Sequence, residues 1–219
     1  MYKVTRLIHL TPDAEPDQLL GALRASATAS GAVRALVEPT LPGVRNGGDL
    51  LAHLQFQTSD HWSAARDGID KVLASPAIRH VDGAEYRTTG RGADEPSATG
   101  SVYRTLLLRV APGTAPETVA RFESELLMMT DFIPAMRAWQ LSRVAVATGA
   151  SAWTHVWEQE FSDLDGLTGP YLMHPIHWAY VDRWFDPECP EFIVRDRVCH
   201  SYCRCAAPVL AAGGQNGSG

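Results

Sequence analysis

The pattern of apolar positions in residues 1–90 predicts six elements. Alternating apolar residues indicate strands, and apolar residues spaced three and four apart indicate helices. Asp60 is expected to cap the second helix and Pro76 to follow its end. The elements fall, in order, at residues 2–10 (strand), 16–30 (helix), 33–37 (strand), 50–56 (strand), 60–73 (helix) and 81–88 (strand).

Residues 102–205 follow the same order of patterns. Thr114, Pro116 and Glu117 have the form of a capping box with proline in the first turn, which predicts a helix start. A later helical stretch from residue 163 is interrupted at Pro175 and continues to residue 184. The predicted elements are strands at 102–110, 138–144, 153–161 and 192–200, and helices at 116–129 and 163–184.

Matched residues indicate that the two halves are copies of one unit. Pro12 and Pro112 are 100 positions apart, as are Pro16 and Pro116. His53 aligns with His155 at an offset of 102, and Pro76 with Pro175 at 99. An ordered series of matches at one period predicts an internal duplication.

The duplication predicts the domain organisation. Residues 1–90 form a first repeat, residues 102–205 a second, and residues 206–219 a disordered tail; residues 91–101 have linker composition. A four-stranded sheet with two helices on one face leaves its other face apolar and uncovered. Two ferredoxin-like β-α-β-β-α-β repeats can cover these faces against each other. The fold class is therefore α+β, an intrachain pseudo-dimeric barrel, with room for a ligand between a sheet and its helices.

Charge and hydropathy narrow the classes of partner. The 219-residue chain has a formal net charge of −6, and its 19 Lys and Arg residues are scattered. A nucleic-acid partner is therefore not expected. No apolar run approaches the roughly 20 residues that span a bilayer, and residues 1–4 do not begin a signal peptide. We predict a cytoplasmic protein with no membrane partner, a small-molecule substrate and the option of pairing into a homodimer.

Four cysteines lie near the C-terminus, at positions 189, 199, 203 and 205. They cannot link the two halves as a disulfide framework would. Cys199, His200, Cys203 and Cys205 could hold a soft metal, but their spacing differs from the paired Cys-x-x-Cys of standard zinc sites. Reduced thiols are the simpler interpretation.

The densest candidate chemistry lies in the second half. Tyr171, His174 and His177 follow closely on His155, and tryptophans flank the group at positions 153, 157, 178 and 184. Apolar side chains around a few polar groups are typical of a small-molecule pocket. Arg104 and Arg109 are five apart on one strand, so only one can face such a pocket.

The motifs Ile133-Pro134-Ala135-Met136, Trp153-Thr154-His155-Val156 and Tyr171-x-x-His174-Pro175-x-His177 resemble the dimeric α/β-barrel (Dabb, stress-responsive A/B barrel) family. The resemblance covers about a hundred residues, and plant polyketide cyclases of this family carry the Tyr-x-x-His-Pro-x-His pattern. It implies that His177 and Tyr171 are catalytic, without a metal or other cofactor. Where the family has a histidine on its first strand, this chain has Arg104.

The pocket pattern adds a wider substrate-binding set, to which the resemblance contributes His155 and Arg104. In the first half, Ser75-Pro76-Ala77-Ile78 replaces the histidine motif, so that repeat is expected to be a structural partner. The predicted substrate-binding residues are His155, Arg104, His174, Trp157 and Trp178.

Four functions fit these residues. A histidine that titrates near neutral pH and a tyrosine hydroxyl suffice for aldol-type cyclase or lyase chemistry on a small apolar carbonyl compound, such as a polyketide intermediate. A cofactor-free oxygenase that acts on an aromatic polyketide would use the same pocket, with the tryptophans packed against its flat substrate. A metal enzyme could use His155, His174 and His177. A barrel that binds a small ligand without catalysis is the fourth.

Overall fold

The computed structural model describes residues 1–88 and 101–210, together with the backbone of residues 91–93. Its strands and longer helices are β1 (Tyr2–Leu10), α1 (Pro16–Ala29), β2 (Arg34–Pro39), β3 (Leu50–Phe56), α2 (Ser59–Leu73), β4 (Ile78–Arg87), β5 (Arg91–Ala93), β6 (Val102–Leu108), α3 (Pro116–Met128), β7 (Met136–Thr148), β8 (His155–Phe161) and β9 (Cys199–Arg204). Short helical pieces follow α3 at Met129–Asp131 and occupy Leu164–Gly166, Leu167–Tyr171, His177–Val181 and Asp182–Trp184.

One antiparallel sheet runs through both halves in the order β2-β3-β1-β4-β7-β8-β6-β9. The β4–β7 pair joins the halves, because Gly83 to Tyr86 pair with the far end of β7. At the other edge, isolated bridges link Thr40 to Cys203 and Arg45 to His200. The sheet is therefore a nearly closed barrel, and the predicted α+β barrel of two ferredoxin-like halves is confirmed.

Some element boundaries were predicted wrongly. Helix α2 is capped by Thr58, whose side chain accepts from the His61 amide, and not by Asp60. The capping box before α3 does not form, because Thr114 donates to the Ala111 carbonyl instead. The closing strand is β9, whereas residues 192–198 are irregular.

Strand registers correct the predicted alignment of the repeats. Tyr2 pairs with Phe56 in the first half, and Val102 with Phe161 in the second. The opening strands are thus offset by 100 (102 minus 2) and the strands beside them by 105 (161 minus 56). His53 therefore corresponds to Glu158 rather than to His155. Because Glu158 and His155 are three residues apart and strand side chains alternate, His53 and His155 lie on opposite faces of the sheet.

The barrel interior contains a polar cluster as well as apolar side chains. Lys3 donates to Glu158 at 3.0 Å and to Gln140 at 2.8 Å, and all three side chains are buried. Tyr103 donates to Glu158 at 2.8 Å, and His53 Nε2 lies 3.5 Å from the same carboxylate. Buried charges are tolerated only when they are paired and hydrogen-bonded. This cluster joins the two repeats across the barrel axis.

The predicted linker and tail are partly ordered. Residues 91–93 form β5, which pairs with β7. Val209 and Leu210 are buried, and Glu160 accepts from both of their amides. The tail prediction was therefore wrong for residues 206–210, because buried Glu160 gives that backbone a hydrogen-bond partner. Residues 211–219 lie outside the described residues. In the part of the chain that the structure describes, no helix is long and apolar enough to span a membrane.

Candidate functional site

A pocket of about 460 Å³ lies between the outer face of the second-half sheet and the helical segment of residues 164–184, here called the broken helix. Its volume is in the range of small-molecule sites. Leu106 and Leu108 of β6 and Leu126 of α3 form apolar walls. The polar residues that line it are Arg45, Asn46, Arg104, Tyr171, His177, Asp182, Arg195, Asp196, Arg197 and His200.

The broken helix owes its form to two prolines. Pro170 and Pro175 lack the amide hydrogen that a regular helix would use. The chain forms π turns over Leu167–Tyr171 and His177–Val181, with the intervening residues outside either turn. Wider turns of this kind are frequent at functional sites. They turn Tyr171 and His177 toward one space, with their rings 5.3 Å apart and nearly perpendicular.

A buried carboxylate fixes the broken helix against α3. Glu125 accepts from Trp184 Nε1 at 2.8 Å, from Arg183 at 2.5 Å and from Arg121 at 2.9 Å. These partners hold the pKa of Glu125 below its usual range, although burial acts in the opposite direction. The far wall of the pocket is therefore anchored by ionic hydrogen bonds as well as by packing.

Tyr171 is almost fully buried, and its hydroxyl meets a cation. Arg104 Nη1 donates to the hydroxyl oxygen at 2.8 Å, and the guanidinium lies 4.8 Å from the centre of the tyrosine ring. Phe161 packs edge-on against the other side of the ring. Because a guanidinium only donates, the Tyr171 oxygen accepts and its own proton remains available for a ligand.

Arg104 is 2% exposed and projects from β6 into the pocket. Besides Tyr171, it donates to Gln159 Oε1 and approaches His200 Nδ1 at 3.2 Å. No carboxylate of the described residues pairs with it. Arg109, by contrast, forms a surface pair with Asp196 at 2.5 Å and does not line the pocket.

His177 lies at the pocket edge beside an acid. Its Nδ1 is 3.1 Å from Asp182 Oδ1, although the angle is too bent for a hydrogen bond. The Asp182 side chain is half exposed, so it can rotate to accept a hydrogen bond from His177 Nδ1. Catalytic hydrogen bonds are often poorly aligned before a ligand binds. A carboxylate at Nδ1 leaves Nε2 as the basic nitrogen.

His200 is a pocket residue that sequence reasoning assigned only to a possible metal cluster. Burial and the nearby Arg104, Arg45 and His177 lower its pKa to about 3. The ring is therefore neutral, and Nδ1 accepts from Arg104. Its proton then sits on Nε2. Alternation along a strand could have separated His200 from the cysteines, but only the register of β9 against β6 places it beside Arg104.

His155 is held away from the pocket. Its Nε2 lies 3.0 Å from Glu123 Oε1, and its Nδ1 lies 2.8 Å from the Thr154 hydroxyl. Burial lowers its pKa despite the bond to Glu123. Phe122 packs edge-on against the ring. His155 does not line the pocket and instead links β8 to α3.

Three further predicted binding residues also lie outside the pocket lining. Trp157 is fully buried in the core beneath α3. His174 accepts from the Ile176 amide and packs near Phe132. Trp178 is 54% exposed and donates to the Leu172 carbonyl. The pocket therefore brings together Tyr171, His177 and Arg104 of the predicted set, and adds His200 and Arg45.

The predicted alternatives with a metal find no geometric support. Within residues 1–88 and 101–210, no group of three or more His, Cys, Asp and Glu side chains is arranged to hold an ion. Cys199 and Cys203 face the barrel interior, whereas His200 faces outward on the same strand. All four cysteines are free thiols.

The corresponding space in the first half is filled. The cavity beside Arg6, between that sheet and helices α1 and α2, is only about 10 Å³, no more than a single water molecule needs. Trp62 fills much of this layer. Arg6 is buried there and pairs with Glu85 at 2.7 Å, and Tyr2 donates to Glu85 at 2.9 Å. Burial and that bond raise the pKa of Tyr2 to about 12.

Comparisons with known proteins agree with this geometry. Residues 102–199 match the family model of the stress responsive A/B barrel domain. No curated protein sequence matches the chain.

Solved structures share the whole fold at low sequence identity. An anthrone oxidase-like protein is 11% identical, with a TM-score of 0.62, and the match covers 96% of this chain and 95% of that one. A Fusobacterium nucleatum protein described as a monooxygenase is 9% identical, with a TM-score of 0.58 over 91% and 90% of the chains. A similarly described Lactobacillus acidophilus protein is 9% identical, with a TM-score of 0.54 over 93% and 92%.

Proposed function

We propose that this protein is a cofactor-independent acid–base enzyme whose second half, residues 102–199, belongs to the stress responsive A/B barrel family. Its substrate is a small, largely apolar carbonyl compound such as a polyketide intermediate. The observation that carries this proposal is the convergence of Tyr171 and His177 on one pocket, with their rings 5.3 Å apart. The predicted chemistry is aldol-type cyclisation or cleavage.

Proton transfer falls to His177. Its Nε2 takes a proton from the carbon beside the substrate carbonyl, while Asp182 at Nδ1 stabilises the imidazolium that forms. The Tyr171 hydroxyl donates to the carbonyl oxygen as negative charge develops there. Such positioned acid–base groups typically contribute 10²- to 10⁴-fold, and one hydrogen-bond donor to an oxyanion about 10²- to 10³-fold.

Arg104 supports both steps by its position. It donates to the Tyr171 oxygen, which directs the tyrosine proton away from the guanidinium and toward the pocket. The apolar walls exclude water from the developing enolate, and electrostatic interactions gain strength where water is absent.

The test is exchange of an α-proton for deuterium in a small aryl 1,3-diketone, followed by NMR in D₂O. We expect the native protein to accelerate exchange, His177→Ala to remove at least about 10²-fold of that rate, and Tyr171→Phe to remove about 10²- to 10³-fold. His174→Ala is the matched control, since His174 lies on the same segment but outside the pocket lining. It should retain the native rate.

Two outcomes would contradict the proposal. Unchanged exchange in His177→Ala, with circular dichroism showing an intact fold, would remove His177 as the base. Ligand binding without any exchange in the native protein would favour a non-catalytic binding barrel.

A cofactor-free oxygenase is the second candidate. It draws on the similarity to proteins described as anthrone oxidase-like and as monooxygenases. His177 would again remove a proton, and the resulting aromatic carbanion would react with dioxygen. An oxygen electrode with anthrone as the probe separates the two reactions: His177-dependent oxygen uptake favours the oxygenase, and proton exchange without uptake favours the cyclase or lyase.

A further inference from the structure

We propose that the pocket selects a substrate that carries a carboxylate on an otherwise apolar, flat frame, with Arg104 as the carboxylate-binding residue. This inference rests on the proposed function only in taking the same pocket as the substrate site. It adds the charge and the chemical class of the ligand.

Arg104 has no counter-ion among the described residues. Arg104 is 2% exposed, yet its neighbours within hydrogen-bonding distance are the neutral groups Gln159, Tyr171 and His200. A buried charge normally has an ionic partner. Since none of the described carboxylates pairs with Arg104, a ligand anion is the missing partner.

Two N–H donors of the Arg104 guanidinium have no acceptor among the described residues. A guanidinium has five N–H groups. Gln159 and Tyr171 use two on Nη1, and His200 uses one on Nη2. One N–H on Nη2 and the one on Nε remain without acceptors among the described residues. Two donors of one guanidinium match the two oxygens of a carboxylate, which favours bidentate binding.

The neighbours of Arg104 add donors and no acceptor. His200 receives from Arg104 at Nδ1, so the ring presents Nε2–H, which has no hydrogen-bond partner in the described residues. Tyr171 receives from Arg104 at its oxygen and keeps its own proton for a ligand. Three side chains therefore offer only hydrogen-bond donors to the same space, a pattern that fits an oxyanion and disfavours a cation.

The charges around the pocket point the same way. Its lining includes four arginines, at positions 45, 104, 195 and 197, against two aspartates at 182 and 196. Asp196 is already paired with Arg109, and Arg197 lies 3.5 Å from Asp82 outside the lining. Three arginines therefore remain, against Asp182, which faces His177. An excess of positive charge in a cleft raises the local concentration of anions. The remaining walls include Leu106, Leu108, Leu126, Val181, Phe192 and Val194, which fit an apolar ring system.

The first half provides a contrast. Its buried Arg6 lies under the helices like Arg104 but has Glu85 at 2.7 Å as its ion partner. The cavity beside Arg6 is only about 10 Å³. The absence of a partner for Arg104 is thus a property of the pocket and not of every buried arginine in this fold.

The test uses three probes of one shape, measured by titration calorimetry: 2-naphthoate, 2-naphthamide and 2-naphthol. We expect the carboxylate to bind at least about 30-fold more tightly than the amide, since hydrogen bonds to charged groups are worth about 1.5–3 kcal/mol. Arg104→Gln should reduce that preference to about 3-fold or less, and Arg104→Lys should leave an intermediate value because it keeps charge without the fork. Arg66→Gln, an exposed arginine on α2, should match the native protein.

Several results would overturn the proposal. An amide that binds as well as the carboxylate, a naphthol that binds most tightly, or no carboxylate binding at millimolar concentration each exclude carboxylate selection. So does an unchanged preference in Arg104→Gln. If that variant fails to fold, His200→Asn supplies the second measurement: it removes the Nε2 donor and should reduce the preference about 5-fold, whereas an unchanged preference counts against the site.

The result for carboxylate selection can be distinguished from the result for the proposed enzymatic function. His177→Ala should lose proton exchange but bind 2-naphthoate within about 3-fold of the native affinity, because His177 is not one of the donors assigned to the carboxylate. Carboxylate selection without exchange would remove the enzymatic proposal and keep this one. Exchange without carboxylate selection would do the reverse.

Discussion

The two halves of the molecule share one plan and differ in the layer between sheet and helices. In the first half, Trp62 and its neighbours leave a cavity of only about 10 Å³ beside the buried Arg6. In the second, the broken helix stands off the sheet and leaves about 460 Å³. Both layers contain a buried arginine, but among the described residues Arg6 has a carboxylate partner and Arg104 has none. The ion pair makes the first layer a structural core, whereas the second layer, with an unpaired cation beside empty volume, is the proposed binding site.

The comparison also explains how a duplicated unit can divide its tasks. The barrel needs both repeats, because each covers the inner face of the other and their polar cluster spans the axis through Lys3 and Glu158. The pocket needs mainly the second repeat. Arg45 and Asn46 are the exceptions, since the first-half loop that carries them pairs with His200 and so closes the pocket from across the barrel edge.

The largest expected effect is a difference in stability between variants of the two buried arginines. Arg6→Met should lower the free energy of unfolding by about 3–5 kcal/mol, because it strands buried Glu85 without its ion partner. Arg104→Met should cost less than about 1.5 kcal/mol, because it strands no charge and its former partners border the pocket. Urea denaturation of both variants measures the difference. Equal losses would mean that Arg104 has a structural role like that of Arg6.

A smaller expected effect is the difference in stability cost when a larger side chain is introduced into each layer. Leu23 on α1 and Leu126 on α3 are both 2% exposed and line the two spaces. Leu23→Phe should cost about 1–3 kcal/mol through overpacking. Leu126→Phe can extend into the pocket and should cost less than about 1 kcal/mol, while it weakens 2-naphthoate binding. Thermal unfolding and calorimetry test the pair. A larger stability loss at Leu126 would show that the pocket is already filled.

The third expected effect is a pH dependence of stability that arises from His200 in the second half. The pKa of His200 is about 3 in the folded protein, lowered by burial and by Arg104 and Arg45, whereas an unfolded histidine titrates near 6.5. The unfolded state therefore binds the extra proton, and folding stability falls as pH decreases from about 6.5 toward about 3. His200→Asn should remove this contribution, so its stability should fall by about 2 kcal/mol less between pH 7 and pH 5.

Urea titrations at the two pH values measure that difference, and His61→Asn is the control because His61 is exposed on α2. Parallel losses in the native and His200→Asn proteins would contradict a neutral His200 beside Arg104.

Sequence reasoning succeeded where a pattern was long and local. The alternation in β1, β3 and β6 and the helical spacing in α1 and α2 predicted those elements and, through their repetition, the barrel. It also selected Tyr171, His177 and Arg104, all of which line the pocket. It failed over residues 163–200, where two prolines and irregular turns leave no period to recognise, and the closing strand was therefore placed too early.

The sequence by itself determined the α+β class and predicted the duplication and the acid–base pair of Tyr171 and His177, because periodicity and motif are properties of neighbouring residues. Only the tertiary structure decided which side chains share the pocket. A change of a single residue in strand register reverses the face that each side chain occupies. Register placed His155 against Glu123, aligned His53 with Glu158, and brought His200 and Arg45 beside Arg104 from opposite ends of the chain.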